Sequence, residues 1–328
     1  MAICDFPIDA VYLWVDGADP EWQKRHLQAI KAWSTNNPST ISDESISTAR
    51  YRDNGELRYS LRSLELYAPW INKVHIVVDK QKPTWLDCSK VNLVDQRDIL
   101  PSGVACPVFN SNLIELCMHR IPGLSNHFLS FNDDFMLGAP TCPSDFFCSN
   151  GKPKIWLAPK INKSSPLVQK NSTRKIAENL TRKIILEKFG IYYPHKIKHY
   201  PRSYVCSAMQ EMWSFFPAEV NRSLQARFRN EDNIITYLFY PYFLLASEKG
   251  VSRKVSGLPQ VLDFFRGRIC HVGASLGDKN YKTKMRRIKF LKPLTFCIND
   301  SENATEADII YLQNFLNTLF PKKSKFEL

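Results

Sequence analysis

Residues whose types and spacing could do chemistry gather in four places along this 328-residue chain. In RYRDNGELRYSLRSLELYAPWINKVHIVV, residues 50–78, four of the first seven positions are charged: Arg50, Arg52, Asp53 and Glu56. Charges at the mouth of a helix can converge on a ligand beside the free N–H groups of its first turn. The plain alternative is a surface cap laced with salt bridges. In IDAVYLWVDGADPEW, residues 8–22, a strand ends at Trp14-Val15-Asp16-Gly17. Asp16 there could accept from hydroxyls or hold a cation, and Gly17 permits a sharp turn or a close approach. In FLSFNDDFMLG, residues 128–138, Asn132 precedes the adjacent pair Asp133 and Asp134. Two neighbouring carboxylates cannot both be buried without a counter-charge, and a divalent cation bridging diphosphate oxygens would supply one. Solvated turns are the bland reading of both loops. The fourth place holds His199, in KHYPRSY, and Arg229, in RFRNEDNIITYLFYPYF. An imidazole can take a proton from an attacking hydroxyl, and a guanidinium offers a fixed fork of donors to phosphoryl oxygens. Spacing alone leaves open whether the two meet, and His199 by itself reads more simply as a structural or solvated histidine.

These residues need elements to position them. Three apolar runs read as buried strands, Ala10–Val15, Val74–Val78 and Phe128–Phe131, with Val91–Val94 a weaker fourth. Helical patterns separate them at Trp22–Trp33, Glu56–Leu66 (apolar at Leu57, Leu61 and Leu64) and Asn112–Arg120. The alternation predicts an α/β fold with a mainly parallel sheet and helices on both faces. In such sheets ligands collect beyond the carboxyl ends of the strands, which is where Asp16-Gly17, Asp79-Lys80 and Asn132-Asp133-Asp134 fall. From about 153 to 198 the chain reads as a basic helical insertion, with Thr173–Phe189 its clearest helix and Gly190 the C-cap. Residues 250–292 read as loops and short elements. Phe296–Ile298 reads as a strand followed by the polar pair Asn299-Asp300. Ala304–Phe320 reads as a helix with apolar positions at Ile309, Leu312, Phe315, Leu316 and Leu319, and Phe326-Glu327-Leu328 as an arbitrary tail. The expected organisation is one catalytic domain over 1–328, with 1–152 and about 199–328 forming the core.

A hydrophobic share of 44% and a charged share of 23% are ordinary for a soluble globular chain. No secretory signal is expected, because Asp5, Asp9 and Asp16 interrupt the early apolar stretch. The run from Ile234 to Ala246 is too short to span a bilayer. A net charge of +12 calls for an acidic partner. Basic residues are dispersed, with clusters at Lys279–Lys289 and Lys322–Lys325 and no nucleic-acid motif, so an anionic membrane face or anionic polymer is the expected partner and nucleic acid is not. Nine cysteines without CxxC pairs predict neither a disulfide framework nor a zinc site. Triplets such as Asn171-Ser172-Thr173 carry no meaning in a cytosolic protein.

Taken together, the blocks resemble the Stealth family of sugar-1-phosphate transferases, which serve bacterial capsule and surface-polysaccharide synthesis. They are also similar to the catalytic regions of animal lysosomal-enzyme N-acetylglucosamine-1-phosphotransferase. IDAVYLWVDGADPEW looks like the first family block and RYRDNGELRYSLRSLELYAPWINKVHIVVD the second. FNSNLIELCMHRIPGLSNHFLSFNDDFMLG looks like the third and KHYPRSY through FRNEDNIITYLFY the fourth, while the FCIND and FPKKSKFEL endings recur as well. The resemblance covers nearly the whole chain. It implies a GT-A-like, Rossmann-type nucleotide-sugar transferase core, in which an acceptor hydroxyl attacks the sugar-bearing β-phosphate of a UDP-sugar and UMP leaves.

By matching positions, the resemblance implies that His199, Arg229 and Asp134 are catalytic. Arg52, Asp53, Asn54, Glu56 and Arg58 match the family's second-block polar cluster and Asp133 with Asp134 its acidic pair. The expectation is that the cluster binds the donor together with Trp14, Asp16, Gly17 and Asn132, and that the acidic pair holds Mg²⁺ or Mn²⁺. The acceptor would be a growing capsular or surface glycan. The chain departs from the larger animal relatives in lacking inserted recognition modules and membrane spans. A cytoplasmic bacterial enzyme is therefore expected, peripheral at the inner face of the membrane. The competing readings are a glycosyltransferase on a similar fold, which would release UDP, and a non-catalytic binder of anionic glycan.

Overall fold

The computed structural model describes residues 4–36, 46–47, 50–160, 173–255 and 269–328. A five-stranded sheet forms its centre, in the order β3-β2-β1-β4-β8: β1 (Ile8–Leu13), β2 (Val74–Val78), β3 (Asn92–Asp95), β4 (His127–Asn132) and β8 (Arg202–Val205). β1 pairs in parallel with β2 and β4, β2 pairs in parallel with β3, and only β8 runs antiparallel, against β4. The chain moves outward from β1 through β2 and β3, then returns to place β4 on the other side of β1. This reversal opens a crevice at the carboxyl ends of β1 and β4, the usual ligand position in such sheets. The central strands are buried on both faces and mainly apolar, as parallel strands covered by helices must be, with Asp9, His75 and Ser130 the buried polar exceptions.

β1 is followed by α1 (Pro20–Asn36), and β2 is preceded by α2 (Glu56–Tyr67). Leu57, Leu61 and Leu64 of α2 are at most 2% exposed, so the expected three- and four-residue stripe is the buried face. Each such side chain contributes roughly 1.5–3 kcal/mol on burial. Between the leucines, Ser60 donates a short hydrogen bond to the Phe135 carbonyl and Ser63 Oγ accepts from Leu137 N–H at 3.0 Å. These serines fasten β5 (Phe135–Leu137), which lies in a second sheet of order β10-β11-β5 with β10 (His271–Ser275) and β11 (Thr295–Asn299). Between β4 and β5 only Asp133 and Asp134 intervene, so the acidic pair sits where the chain crosses from one sheet to the other. Cys297 of β11 stands opposite Phe135 in the antiparallel ladder, which carries Asn299 and Asp300 to the same place.

A third sheet, β7-β6-β9, joins β6 (Lys154–Lys160), β7 (His195–Ile197) and β9 (Val251–Lys254). The helical reading of 153–198 therefore fits only α4 (Thr173–Phe189) among the described residues, where Gly190 takes the left-handed conformation at φ 70° as the C-cap. Its flanks are strands, because β6 finds partners about 40 and 100 residues away that local composition does not reveal. The reading of 250–292 as loops and short elements fits its two short strands among the described residues and misses one helix. That segment contains β9, β10 and α8 (Tyr281–Leu291), whose buried stripe is only Tyr281, Met285 and Ile288 among basic residues. The stretches 161–172 and 256–268, including Asn171-Ser172, lie outside the described residues. The remaining described helices longer than one turn are α3 (Ser111–Cys117), α5 (Cys206–Phe215), α6 (Pro217–Leu224), the apolar α7 (Thr236–Ala246) and α9 (Glu306–Leu319). None of the described helices is long and apolar enough to cross a membrane. All nine cysteines are free.

The tail is a further correction. Phe326 is 3% exposed in the core, and Glu327 takes a bidentate pair from Arg62 of α2 at 2.7 Å for each bond. Lys325 N–H donates to Glu65 at 2.9 Å. Residues 324–328 are thus an anchor, tied to α2 and to the backbone of residues 85–87, rather than an arbitrary tail.

Candidate active site

The crevice at the strand ends holds two cavities that share Arg50, Ser111, Asn132 and Arg229 as walls. The larger, about 190 Å³, lies over the ends of β1, β2 and β4 and is lined by Trp14, Trp22, Tyr51 and Phe109, with Asn132 and Asp133 at one end. Phe109 stacks on Phe228 at 5.4 Å, and Trp22 packs on Tyr51 and Phe109, which stiffens this aromatic wall. Gly17 is required by geometry: its N–H donates to the Tyr51 carbonyl, and any Cβ would come within 2.6 Å of that oxygen. The Trp14–Asp19 loop and the segment before α2 are therefore pressed together. Asp16 is fixed there by its backbone contacts with the Gln81 side chain and by accepting from Ala18 N–H.

At the start of α2, Gly55 adopts a left-handed φ of 85°, which turns the chain so that Asp53, Asn54 and Glu56 face one another. Glu56 accepts from Asn54 N–H at 2.7 Å and from Asn54 Nδ2 at 2.9 Å, while Asn54 Nδ2 also reaches Asp300. Arg52 pairs with Asp300 at 3.2 Å. Burial raises the Glu56 carboxyl to about 7, against its Asn54 hydrogen bonds. It also raises Asp53, with the charge of Asp16 adding to the effect. Asp133 and Asp134 are raised as well: burial and the charges of Asp134, Glu56 and Asp53 act on Asp133, and burial acts on Asp134 against the Cys297 thiol 3.1 Å away. These carboxyls share one environment, in which Arg58 and Arg202 only partly offset the effect of burial on Asp53 and Asp134. Asp134 Oδ1 is enclosed without a hydrogen-bond partner. Ligand atoms of Asp134, His199 and Cys297 lie within 4.8 Å of one another. A raised, crowded carboxylate pair with an orphaned oxygen fits a metal ion, the carboxylates favouring a hard divalent cation.

The smaller cavity, about 110 Å³, has the opposite character. Its walls include Arg50, Arg174, Arg202 and Arg229, with His199 and Glu115 among them. Arg229 arrives on the loop before α7 and donates to Ser111 Oγ at the head of α3. Arg174 comes from the first turn of α4 and pairs with Glu178 at 3.1 Å. His199 precedes β8 and packs edge-on against Phe135 at 4.6 Å. Burial, with the charges of Arg202 and Arg174, pushes its pKa down to about 3, partly opposed by the Asn299 side chain. His199 is neutral at pH 7. Burial and the neighbouring Arg50 bring Arg229 down to about 10, leaving it charged.

The structure thus brings His199 and Arg229 to one cavity, which their 30-residue separation could not establish. Trp14, Asn132 and Asp133 line the adjoining one, and Asp134 lies within ligand distance of His199. Arg52, Asn54 and Glu56 form a cluster tied to Asp300. Arg58 stands apart from both cavities, over the Trp85 ring at 4.9 Å and 3.8 Å from Glu327. Sequence reasoning passed over Arg174, Arg202, Glu115, Phe109 and Cys297. Arg202 sits three residues after His199 in KHYPRSY, but nothing local marks an arginine as buried.

Four family models match the chain in order. Stealth protein CR1, conserved region 1, matches residues 6–32, and CR2, conserved region 2, matches 50–155. CR3, conserved region 3, matches 198–246, and CR4, conserved region 4, matches 283–328. The chain is 33% identical over 330 residues to an exopolysaccharide phosphotransferase of Streptomyces coelicolor, covering 98% of this chain and 52% of the relative. It is 31% identical over 329 residues to the capsular polysaccharide phosphotransferase SacB of Neisseria meningitidis serogroup A, covering 98% and 57%. The chain spans about half the length of the curated relatives it matches. Among solved structures, mouse xyloside xylosyltransferase 1 in its apo form aligns with 91% of this chain and 99% of that one, at 8% identity and a TM-score of 0.40. That likeness is too loose to carry an argument about the site. The clustered residues at the two cavities fall largely within the matched regions, and with all four conserved regions present in order the chain belongs to the Stealth family.

Proposed function

We propose that this chain transfers a sugar-1-phosphate from a UDP-sugar to a hydroxyl of a growing capsular or surface glycan, on a GT-A-like core, and releases UMP. The observation that carries the reading is a pair of adjoining cavities with shared walls, one lined by aromatic rings and the other by four arginines beside His199. The aromatic cavity suits the flat uracil, which stacking on Trp and Phe faces would hold. The arginine cavity suits the sugar-bearing phosphate. In the reaction the acceptor oxygen forms a bond to the β-phosphorus, the bond from that phosphorus to the bridging oxygen breaks, and UMP leaves with the electron pair. His199 takes the acceptor proton at an imidazole nitrogen. It can do so because burial, with the surrounding arginines, keeps it neutral, and an arriving phosphate would raise its basicity. Arg229 holds the phosphoryl oxygens as charge builds on them. Asp16 and Asp53 would contact the donor, with Asp134 the alternative base. A Mg²⁺ or Mn²⁺ ion bound by Asp133 and Asp134 would neutralise diphosphate charge.

Glycosyl transfer would break the bond between sugar and phosphate instead and has less need of a clamp on that phosphate. The nucleotide product decides between the two. Incubation with a panel of UDP-sugars and capsule oligosaccharides should yield UMP and a phosphodiester-linked product. UDP as the sole nucleotide would overturn the reading. The chemistry of the product, a polyanion, accords with the net charge of +12 and with contact at an anionic membrane face.

A further inference from the structure

Arg202 opens β8, opposite Ser130 of β4 in the antiparallel ladder. It is 2% exposed, yet its Nε and Nη1 donors have no hydrogen-bond partner. Its ion-pair partner, Glu115 of α3, is 4% exposed and lies 3.7 Å from Nη2, within Coulombic range but beyond a hydrogen bond. Glu115 Oε2 is unpartnered too. A buried guanidinium with two idle donors is costly, and in a folded protein such a group calls for an explanation. Tyr237 and Phe135 offer their ring faces at 5.1 and 6.0 Å, which screens the charge without satisfying the donors. The side chain lines the 110 Å³ cavity, and the first turn of the 17-residue helix α4 reaches the same wall through Thr173 and Arg174. A helix N-terminus favours an anion, and here it shares a cavity with an arginine whose donors lack acceptors.

We propose that Arg202 is a second substrate-binding arginine. Its idle donors bind oxygens of the phosphoryl group next to the sugar, and Glu115 is the positioning residue that holds the guanidinium from behind. This rests on the reading that the cavity takes a phosphate and adds the residue that completes its grip. Arg229 and Arg202 come from different elements, a loop before α7 and the first residue of β8, so together they fix the phosphorus in orientation as well as in position. A lysine at 202 would keep the charge but lose the planar fork.

The test is calorimetric titration of inorganic diphosphate into the intact chain, with melting temperatures recorded alongside. Wild type is compared with Arg202→Lys and with the double replacement Arg202→Met and Glu115→Gln, which leaves no lone charge buried. Wild type should bind diphosphate, Arg202→Lys about tenfold more weakly, and the double variant about a hundredfold more weakly while melting near wild type. In turnover, Arg202→Lys should lower kcat more than it raises the donor KM, a split that a scaffold role would not produce. A folded double variant that binds diphosphate like wild type overturns the proposal. Weakened diphosphate binding together with UDP as the released nucleotide supports Arg202 as the phosphate ligand and removes the sugar-1-phosphate reading. A wild-type chain with no affinity for diphosphate removes both.

Discussion

Helix α2 carries two buried charges six residues apart whose surroundings are opposite. Arg62 meets Glu327 through two 2.7 Å bonds and gives its third nitrogen to the Phe320 carbonyl. Burial works to raise the Glu327 carboxyl, but the Arg62 and Ser324 hydrogen bonds prevail and hold it below its ordinary value. Glu56, at the helix start, has amide partners but no ion pair among the described residues, and burial raises it to about 7. The first arrangement is closed, with each donor facing an acceptor. The second is open, and it adjoins Asp53, Asp133 and Asp134, all raised in the same direction. Across His199 lies the mirror case, a cavity of arginines in which Arg202 has idle donors. Matched charges belong to the scaffold. Those unmatched at the two cavities point to a ligand that would supply the missing sign, an anion on the arginine side and a cation on the carboxylate side.

Breaking the open side should cost activity first. His199→Gln keeps the shape but removes the proton acceptor, and turnover should fall by about 10²–10⁴ in a nucleotide-release assay. Retained turnover would make His199 a bystander. Arg229→Lys keeps the charge and loses the fork, so kcat should drop by about 10² with only a modest change in melting temperature. A smaller effect sharpens the carboxylate side. These carboxyls are raised on folding, so the native state holds more protons than the unfolded chain, and stability falls as pH rises from the ordinary carboxylate range through the folded pKa. A cation that meets their charge should therefore raise the melting temperature more at pH 8 than at pH 5. An equal shift at both, seen by thermal melting with Mg²⁺ against chelator, would separate cation binding from this cluster.

Much of this was legible in the sequence, for reasons that differ by element. β2 was readable residue for residue, and β1 and β4 to within about two, because a buried parallel strand is a short apolar run. The α2 stripe was readable because Leu57, Leu61 and Leu64 have nothing to compete with them. The position of the acidic pair followed from the strand before it. The anchor was not legible: Glu327 acquires meaning only from Arg62, 265 residues earlier. Helix α8 was hidden because three buried residues among basic neighbours make a weak stripe. Arg174 and Arg202 look like any surface arginine until α4 and β8 bring them to one cavity. Long-range pairing, and burial that depends on it, is what local pattern omits.

Glu56→Gln beside Glu327→Gln tests on a single helix whether open charges serve the ligand and closed charges serve the fold. Melting temperature and turnover per folded molecule would be measured for both at pH 8. Glu327→Gln should destabilise by about 2–3 kcal/mol and keep turnover within about threefold, its effect on stability fading as pH falls below the ordinary carboxylate range. Glu56→Gln should recover part of a pH-dependent cost on the order of 3 kcal/mol, reckoned from a carboxyl raised from 4.5 to about 7, and should lose turnover by tenfold or more. Activity lost at Glu327 and stability lost at Glu56 would contradict the account.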